Sequence, residues 1–350
     1  MLDSSFEPPL LLNNGFSMTL YSAFRSSKVW QKNFIESQPK YQKVTFTKGD
    51  VPLFAWVAIP DNPRGTIIGT YGITGTLDNQ WFLHILGRKA YARNYAVILF
   101  DWRAHGESAK LSPVLTSDGL NEGKDFVNIA AESKALGCPA PFWFTGYSLG
   151  GQLALWGIYY SKFLEIEGIE AEEIAGGAVI CPNLDSNRSL PYLMEHPLGR
   201  YIEQAIAKEL KKLALQIHSY HPRDFDLSAI ANVDTIWNFD RELVIPRLGF
   251  TSVEEYYTAS SGFQILPEID KPTLILYAED DPLFAPQIIP DLTEVCHHNQ
   301  AIDLRLTASG GHVGYISSQS CQQKAGDKDC WWAWNRILEW FRASEKTSDS

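Results

Sequence analysis

From residue 40 onward, short apolar runs alternate with segments whose apolar residues recur at helical spacing. That alternation predicts a mostly parallel, doubly wound α/β sheet with helices on its faces. Residues 44–47 and 53–59 read as a leading hairpin turned at Lys48-Gly49-Asp50. Further strands are predicted at 66–71, 96–100, 142–145, 178–181, 273–277 and 302–306. Helices are predicted at about 79–93, 121–136, 151–162 and 331–343. Trp334, Ile337, Leu338 and Phe341 share a helical face in the last of these, so its aromatics are expected in the core. The polar stretch 344–350 is expected to fray.

The alternation breaks over residues 184–264, which show no buried parallel strand. Ile202, Ile206, Leu210, Leu213 and Ile217 recur there on one face of a helix, with Lys208, Lys211 and Lys212 off the stripe. This segment is expected to be a helical cap over the edge of the sheet. The chain then divides into 1–183 (an N-terminal segment and the first part of the core), 184–264 (the cap) and 265–350 (the rest of the core). A helix lying on a membrane surface is the other reading of such a stripe.

Composition narrows the function classes. Over 350 residues, 45% are hydrophobic and 13% aromatic, enough for a large buried core. A net charge of −11 with no dense basic run argues against nucleic acid as a partner. Five cysteines, an odd number without a C-x-x-C pair, read as reduced thiols, with a Cys321–Cys330 bridge as the alternative. The first residues carry Asp3 and Glu7, and Leu10-Leu11-Leu12 is too short for a signal core. Nowhere do 18 consecutive apolar residues occur. A soluble, cytoplasmic protein is expected, with peripheral membrane contact left open.

The strongest local signal is Gly146-Tyr147-Ser148-Leu149-Gly150, followed by Gly151, between a predicted strand and a predicted helix. A G-x-S-x-G in that context is a nucleophile elbow. The serine sits on a strained turn, so its neighbours must lack bulk, and its hydroxyl stands near a helix N-terminus.

A serine hydroxyl needs a base to take its proton. Of eight histidines, His312 stands in Gly310-Gly311-His312-Val313-Gly314, after the last predicted strand, where the chain order serine, acid, histidine places it. His84, His196, His218, His221, His297 and His298 lie in helix-like or polar stretches. His218 and His221 form an H-x-x-H, but no carboxylate at metal spacing supports a zinc site. The acid should follow the strand at 273–277, in Ala278-Glu279-Asp280-Asp281-Pro282; Asp281 is the choice and Asp280 the alternative. Its task is to hold the imidazole's tautomer and stabilise the imidazolium. Backbone N–H groups of Leu149 and of Ile73, in Tyr71-Gly72-Ile73-Thr74-Gly75, are expected to form the oxyanion hole. The charged run Asp101-Trp102-Arg103-Ala104-His105-Gly106-Glu107-Ser108 reads as a structural turn beside the elbow, tied by an Arg103 ion pair.

These motifs resemble the α/β-hydrolase superfamily, and more narrowly its YheT-like branch, over nearly the whole chain. Phe6-Glu7-Pro8-Pro9, Asn14-Gly15 and Thr19 are similar to the branch's opening. Phe239-Asp240, Gly249-Phe250, Glu255-Tyr256-Tyr257 and Ser260 are similar to its cap. Asp280-Asp281-Pro282 and Gly311-His312-Val313-Gly314 are similar to its triad motifs. Tyr71 stands where the branch usually has histidine, and Phe16 and Met18 stand where it usually has histidine and glutamine. The resemblance implies an α/β-hydrolase fold and hydrolysis of carboxylic esters, with a small hydrophobic ester or lipid as substrate and neither metal nor organic cofactor. Ser148, Asp281 and His312 are then the catalytic residues. Tyr71, Tyr147, Trp237, Phe250 and Tyr256 are candidates for contact with substrate, with Leu193, Met194 and Phe225 as further candidate lining. The alternatives are the same triad acting on thioesters or amides, and a non-catalytic binding protein of the same fold. Epoxide hydrolases and dehalogenases use aspartate at the position of Ser148.

Overall fold

The computed structural model describes residues 3, 5–163 and 166–348. Eight strands form one sheet: β1 (Gln42–Phe46), β2 (Leu53–Ala58), β3 (Thr66–Thr70), β4 (Ala96–Phe100), β5 (Phe142–Tyr147), β6 (Ile174–Ile180), β7 (Thr273–Ala278) and β8 (Ile302–Thr307). Their spatial order is β1-β2-β4-β3-β5-β6-β7-β8. β1 and β2 form the antiparallel hairpin, β2 runs antiparallel to β4, and every later pairing is parallel. β3, β4, β5 and β7 are buried along their whole length. That is why they read as continuous apolar runs and not as alternating ones. Helices Trp81–Tyr91, Glu122–Ser133, Leu149–Tyr160 and Trp332–Ser348 supply the crossovers and the closing helix.

Three elements lie outside the periodic pattern. Helix Gly15–Tyr21 is capped by Asn14, whose side chain accepts from the N–H groups of Phe16 and Ser17. Helix Ile288–His298 connects β7 to β8, and helix Gln319–Ala325 starts at the Ser318 cap. The last helix also outruns the expected fraying point at residue 344. Tyr95 donates to Glu345 at 2.5 Å and Arg64 pairs with Glu345 at 2.6 Å, which holds this turn against the core. Residues 349 and 350, part of the expected frayed tail, lie outside the described residues.

Between β6 and β7 the described chain is helical, with Ser186–Glu195, the 24-residue helix Pro197–Tyr220, and four shorter helices ending at Ser260. On the long helix, Leu210 and Ile217 are buried and Ile206 and Leu213 partly so, while Lys208 and Lys212 face solvent. The apolar stripe joins Ala104, Ala109 and Leu115 from the sheet side in a second hydrophobic cluster. The stripe therefore packs inward. Among the described residues, no helix is long and apolar enough to cross a membrane, and all five cysteines are free thiols.

Candidate active site

Ser148 follows β5 directly and precedes helix Leu149–Tyr160. Its backbone lies at φ 55°, ψ −130°, a region L residues rarely adopt. The turn demands glycine on both sides. A Cβ on Gly146 would lie 2.1 Å from the Gly150 carbonyl oxygen, and one on Gly150 would lie 2.3 Å from that of Tyr71. The serine N–H donates to the Ile180 carbonyl at 3.0 Å, fastening the turn to β6.

The loop after β8 carries His312 over this turn. His312 Nε2 lies 2.8 Å from Ser148 Oγ, and Nδ1 lies 2.8 Å from Asp281 Oδ2. Asp281 is nearly fully buried and its other oxygen accepts from the Leu283 N–H at 2.9 Å. A carboxylate facing Nδ1 fixes the proton there and leaves Nε2 free to accept from the serine hydroxyl. Asp280 turns the other way: Oδ1 accepts from the Gly311 N–H at 2.8 Å. The two neighbouring acids thus have separate partners, one the imidazole and one the backbone of its loop.

The N-terminal segment completes this loop's support. Thr19 Oγ1 accepts from the His312 N–H at 2.8 Å and donates to the Gly15 carbonyl at 2.7 Å. A Cβ on Gly15 would meet the Asp280 carbonyl oxygen at 1.7 Å. The Asn14-Gly15 pair and Thr19 are here a buttress for the histidine.

On the other side of Ser148 lies the loop after β3. A Cβ on Gly72 would stand 2.9 Å from Ser148 Cβ, so only glycine lets this backbone approach the serine. Ile73 and Leu149, the expected backbone donors, line a pocket together with Ser148. The loop is anchored from below by Asp101, which accepts from the Tyr71 hydroxyl, from Leu77 N–H at 2.9 Å and from Glu107 N–H at 2.9 Å. Burial pushes the Asp101 carboxyl up to about 6 against the pull of these donors. Arg103 makes a two-pronged pair with the buried Asp125, at 2.7 and 2.8 Å, and reaches Asp50 as well.

The pocket beneath the inserted helices borders Ser148. Its walls are mainly aliphatic, with Leu190, Leu193, Ile206, Leu210, Leu213 and Ile236 among them. Of the aromatic candidates, Tyr147 lines a second, more open pocket beside His312 and donates to Gln80 at 2.6 Å. Tyr71 is a fully buried strut on Asp101 and not a wall of either pocket. Trp237 lies on the outer surface, donating to Glu254 beneath the Arg241 guanidinium. Phe250 packs on the fully buried Tyr256, their ring centroids 5.5 Å apart, and Phe225 sits under Arg247. Trp237, Phe250, Tyr256, Phe225 and Met194 line neither pocket beside Ser148; Leu193 lines the one under the inserted helices. Bulk in the sequence does not say which way a side chain points.

His218 Nδ1 and His221 Nε2 face the carbonyls of Phe225 and Ala109, at 3.1 and 3.0 Å, so both serve packing. Among the described residues no three metal-ligating side chains cluster.

With this geometry in hand, comparison with known proteins is direct. The family model described as "alpha/beta hydrolase fold" matches residues 65–319. A Synechocystis sp. protein carrying the name "Putative esterase slr0264" is 51% identical, over 96% of this chain and 94% of its own. Escherichia coli "Putative esterase YheT" is 26% identical, over 88% of this chain and 86% of its own. Among solved structures, the Pyrococcus furiosus esterase Pf2001 superposes with a TM-score of 0.55 at 17% identity, covering 96% of this chain and 98% of that one. The last likeness speaks for the fold alone. The first two, with a serine elbow and a histidine loop meeting at one end of the sheet, lead to one conclusion: the chain belongs to the α/β-hydrolase superfamily, in its YheT-like branch.

Proposed function

We propose that the chain hydrolyses carboxylic esters through an acyl-enzyme on Ser148. The observation that carries this reading is the continuous hydrogen-bonded line from Ser148 Oγ through the His312 ring to Asp281, 2.8 Å at each link. Oγ attacks the ester carbonyl as Nε2 takes its proton, and Asp281 stabilises the imidazolium that forms. The N–H groups of Leu149 and Ile73 receive the oxyanion; each such donor contributes about 3 kcal/mol in the transition state. The imidazolium then protonates the leaving alcohol. Water, deprotonated by His312, attacks the acyl carbon and releases the acid. Residues 184–264 act as the cap that roofs the acyl pocket, inserted between the two parts of the core, 1–183 and 265–350. The mainly aliphatic walls of that pocket favour an acyl chain, and the names of the esterase relatives agree with an ester as the bond cleaved.

The test is turnover of p-nitrophenyl esters by the wild type, Ser148→Ala and Asp281→Asn. Removing the nucleophile should lower kcat by roughly 10^5-fold or more, and misorienting the imidazole by about 10^4-fold. Unchanged turnover by Ser148→Ala would refute the mechanism.

A further inference from the structure

Ser148 borders two pockets with different equipment. Ile73 lines both; the one under the inserted helices includes Leu149 but not His312. The more open one has His312 beside Thr19, Gly72 and Tyr147. A leaving alcohol must take its proton from His312. The alcohol half of the ester therefore faces the open pocket, and the acyl half is left to the other.

The acyl pocket is not uniformly apolar. Asp118 and Asp240, 7% and 5% exposed, both line it. Gln152, one helical turn beyond Ser148, donates to the Asp118 carbonyl at 2.7 Å, which fixes this loop beside the helix that the serine opens. Tyr257, also in the wall, donates to Asp240 Oδ2. Three further wall groups have a buried polar atom without a hydrogen-bond partner among the described residues: Trp102 Nε1, His105 Nε2 and Ser189 Oγ. All three residues are over nine-tenths buried. His105 Nδ1 faces the Arg103 carbonyl at 2.9 Å and so holds the ring proton, which leaves Nε2 as an acceptor.

These groups come from the loops after β4, the helix after β6, and the short helices that follow it. Buried polar atoms are rarely left unpaired, so the wall calls for a ligand with hydrogen-bonding capacity. Burial raises both carboxyls well above the ordinary range, Asp240 additionally through Asp118 and Asp118 through Glu122. At neutral pH the pair thus carries much less than the charge of two carboxylates. A neutral partner suits it better than a cation.

We propose that this pocket takes an acyl chain bearing a hydroxyl, and that Asp118 and Asp240 bind that hydroxyl and favour hydroxy-acyl esters over plain-chain ones. The inference rests on the esterase reading and extends it to the acyl half of the substrate. A hydroxyl donates and accepts, matching the carboxyl oxygens, the His105 acceptor nitrogen and the Ser189 hydroxyl. A plain hydrocarbon would leave the His105 nitrogen and the Ser189 hydroxyl unpaired, the kind of mismatch that polar sites reject strongly.

The experiment compares p-nitrophenyl esters of saturated chains of graded length with the same chains hydroxylated at the far end. The wild type should favour the hydroxylated ester in kcat/KM by about tenfold or more at the length that reaches the pair. Asp240→Leu should reverse that preference, with kcat/KM for the plain ester raised; Asp240→Asn should keep the hydroxyl preference. Equal or better turnover of the plain ester by the wild type at every length overturns the proposal, and that comparison requires no variant to fold. A stronger preference for a trimethylammonium at the same position overturns it too. In either case hydrolysis that is lost in Ser148→Ala leaves the esterase reading standing, whereas a wild type that cleaves none of these esters sinks both.

Discussion

Thr19 holds His312: its hydroxyl accepts the histidine's backbone N–H at 2.8 Å across 293 residues of chain. The same hydroxyl donates to Gly15, whose missing side chain lets the segment press against Asp280. The imidazole is therefore positioned from two sides, by Asp281 through its ring and by Thr19 through its backbone. Thr19→Val leaves that N–H without its acceptor, at a cost of about 1–3 kcal/mol. Activity on p-nitrophenyl esters should fall about tenfold or more, while Thr19→Ser stays close to wild type. Equal kinetics for Val and Ser at this position would remove the buttress from the argument.

Gly72 sets how closely the loop after β3 approaches the serine. A methyl there would stand 2.9 Å from Ser148 Cβ and 3.3 Å from its Oγ. Gly72→Ala should lower kcat by about a hundredfold, because displacements of this size spoil the reacting geometry. The melting temperature should move far less than the activity does. A variant with wild-type kcat would show that the loop is not part of the site.

Asp101 makes stability depend on pH in a particular direction. Its folded-state value, about 6, lies above the ordinary carboxylate range because of burial. The folded protein therefore holds this proton more tightly than the unfolded chain does. Its contribution to stability is complete below about pH 4 and is lost as the pH rises through 6, on the order of a few kcal/mol at most. Melting curves between those limits should show the wild type losing stability relative to Asp101→Asn as pH rises. Parallel curves for the two proteins would contradict the assignment.

The pocket wall and the outer surface of the inserted helices should respond differently to substitution. Leu193 is buried and lines the serine's pocket, whereas Trp237 lies on the exterior. Leu193→Trp should shorten the preferred acyl chain and raise KM for longer ones, since the added rings occupy space the chain needs. Trp237→Ala should leave kcat/KM within about twofold, as surface substitutions away from caps and buried partners have small effects. An identical chain-length profile for Leu193→Trp would mean that the acyl group goes elsewhere.

Much of this architecture was legible because it is local. The buried strands read as apolar runs, and Gly146 to Gly150 mark the elbow through steric needs that a five-residue window contains. His312 was legible from chain order and its glycines. The place of Asp281 before Pro282 favours it over Asp280, but only the backbone's turn shows one acid on His312 and the other on Gly311. The buttressing role of Gly15 and Thr19 was invisible to periodicity because their partners lie far along the chain; only the resemblance to the family marked those residues. The aromatic guesses for the pocket fared differently. Trp237, Phe250 and Tyr256 pack outside it, while Ile206, Leu210 and Leu213, read from the stripe as cap packing, line it. A helical stripe reports what is turned inward, and both core and cavity wall qualify.

The bond from Thr19 to His312 has a consequence for how the protein comes into being. During synthesis Thr19, which steadies the imidazole, is made 293 residues before it. A growing chain that already carries Ser148 lacks His312 until 164 more residues are joined. The hydrogen-bonded line from Ser148 to Asp281 therefore closes only once translation has passed residue 312.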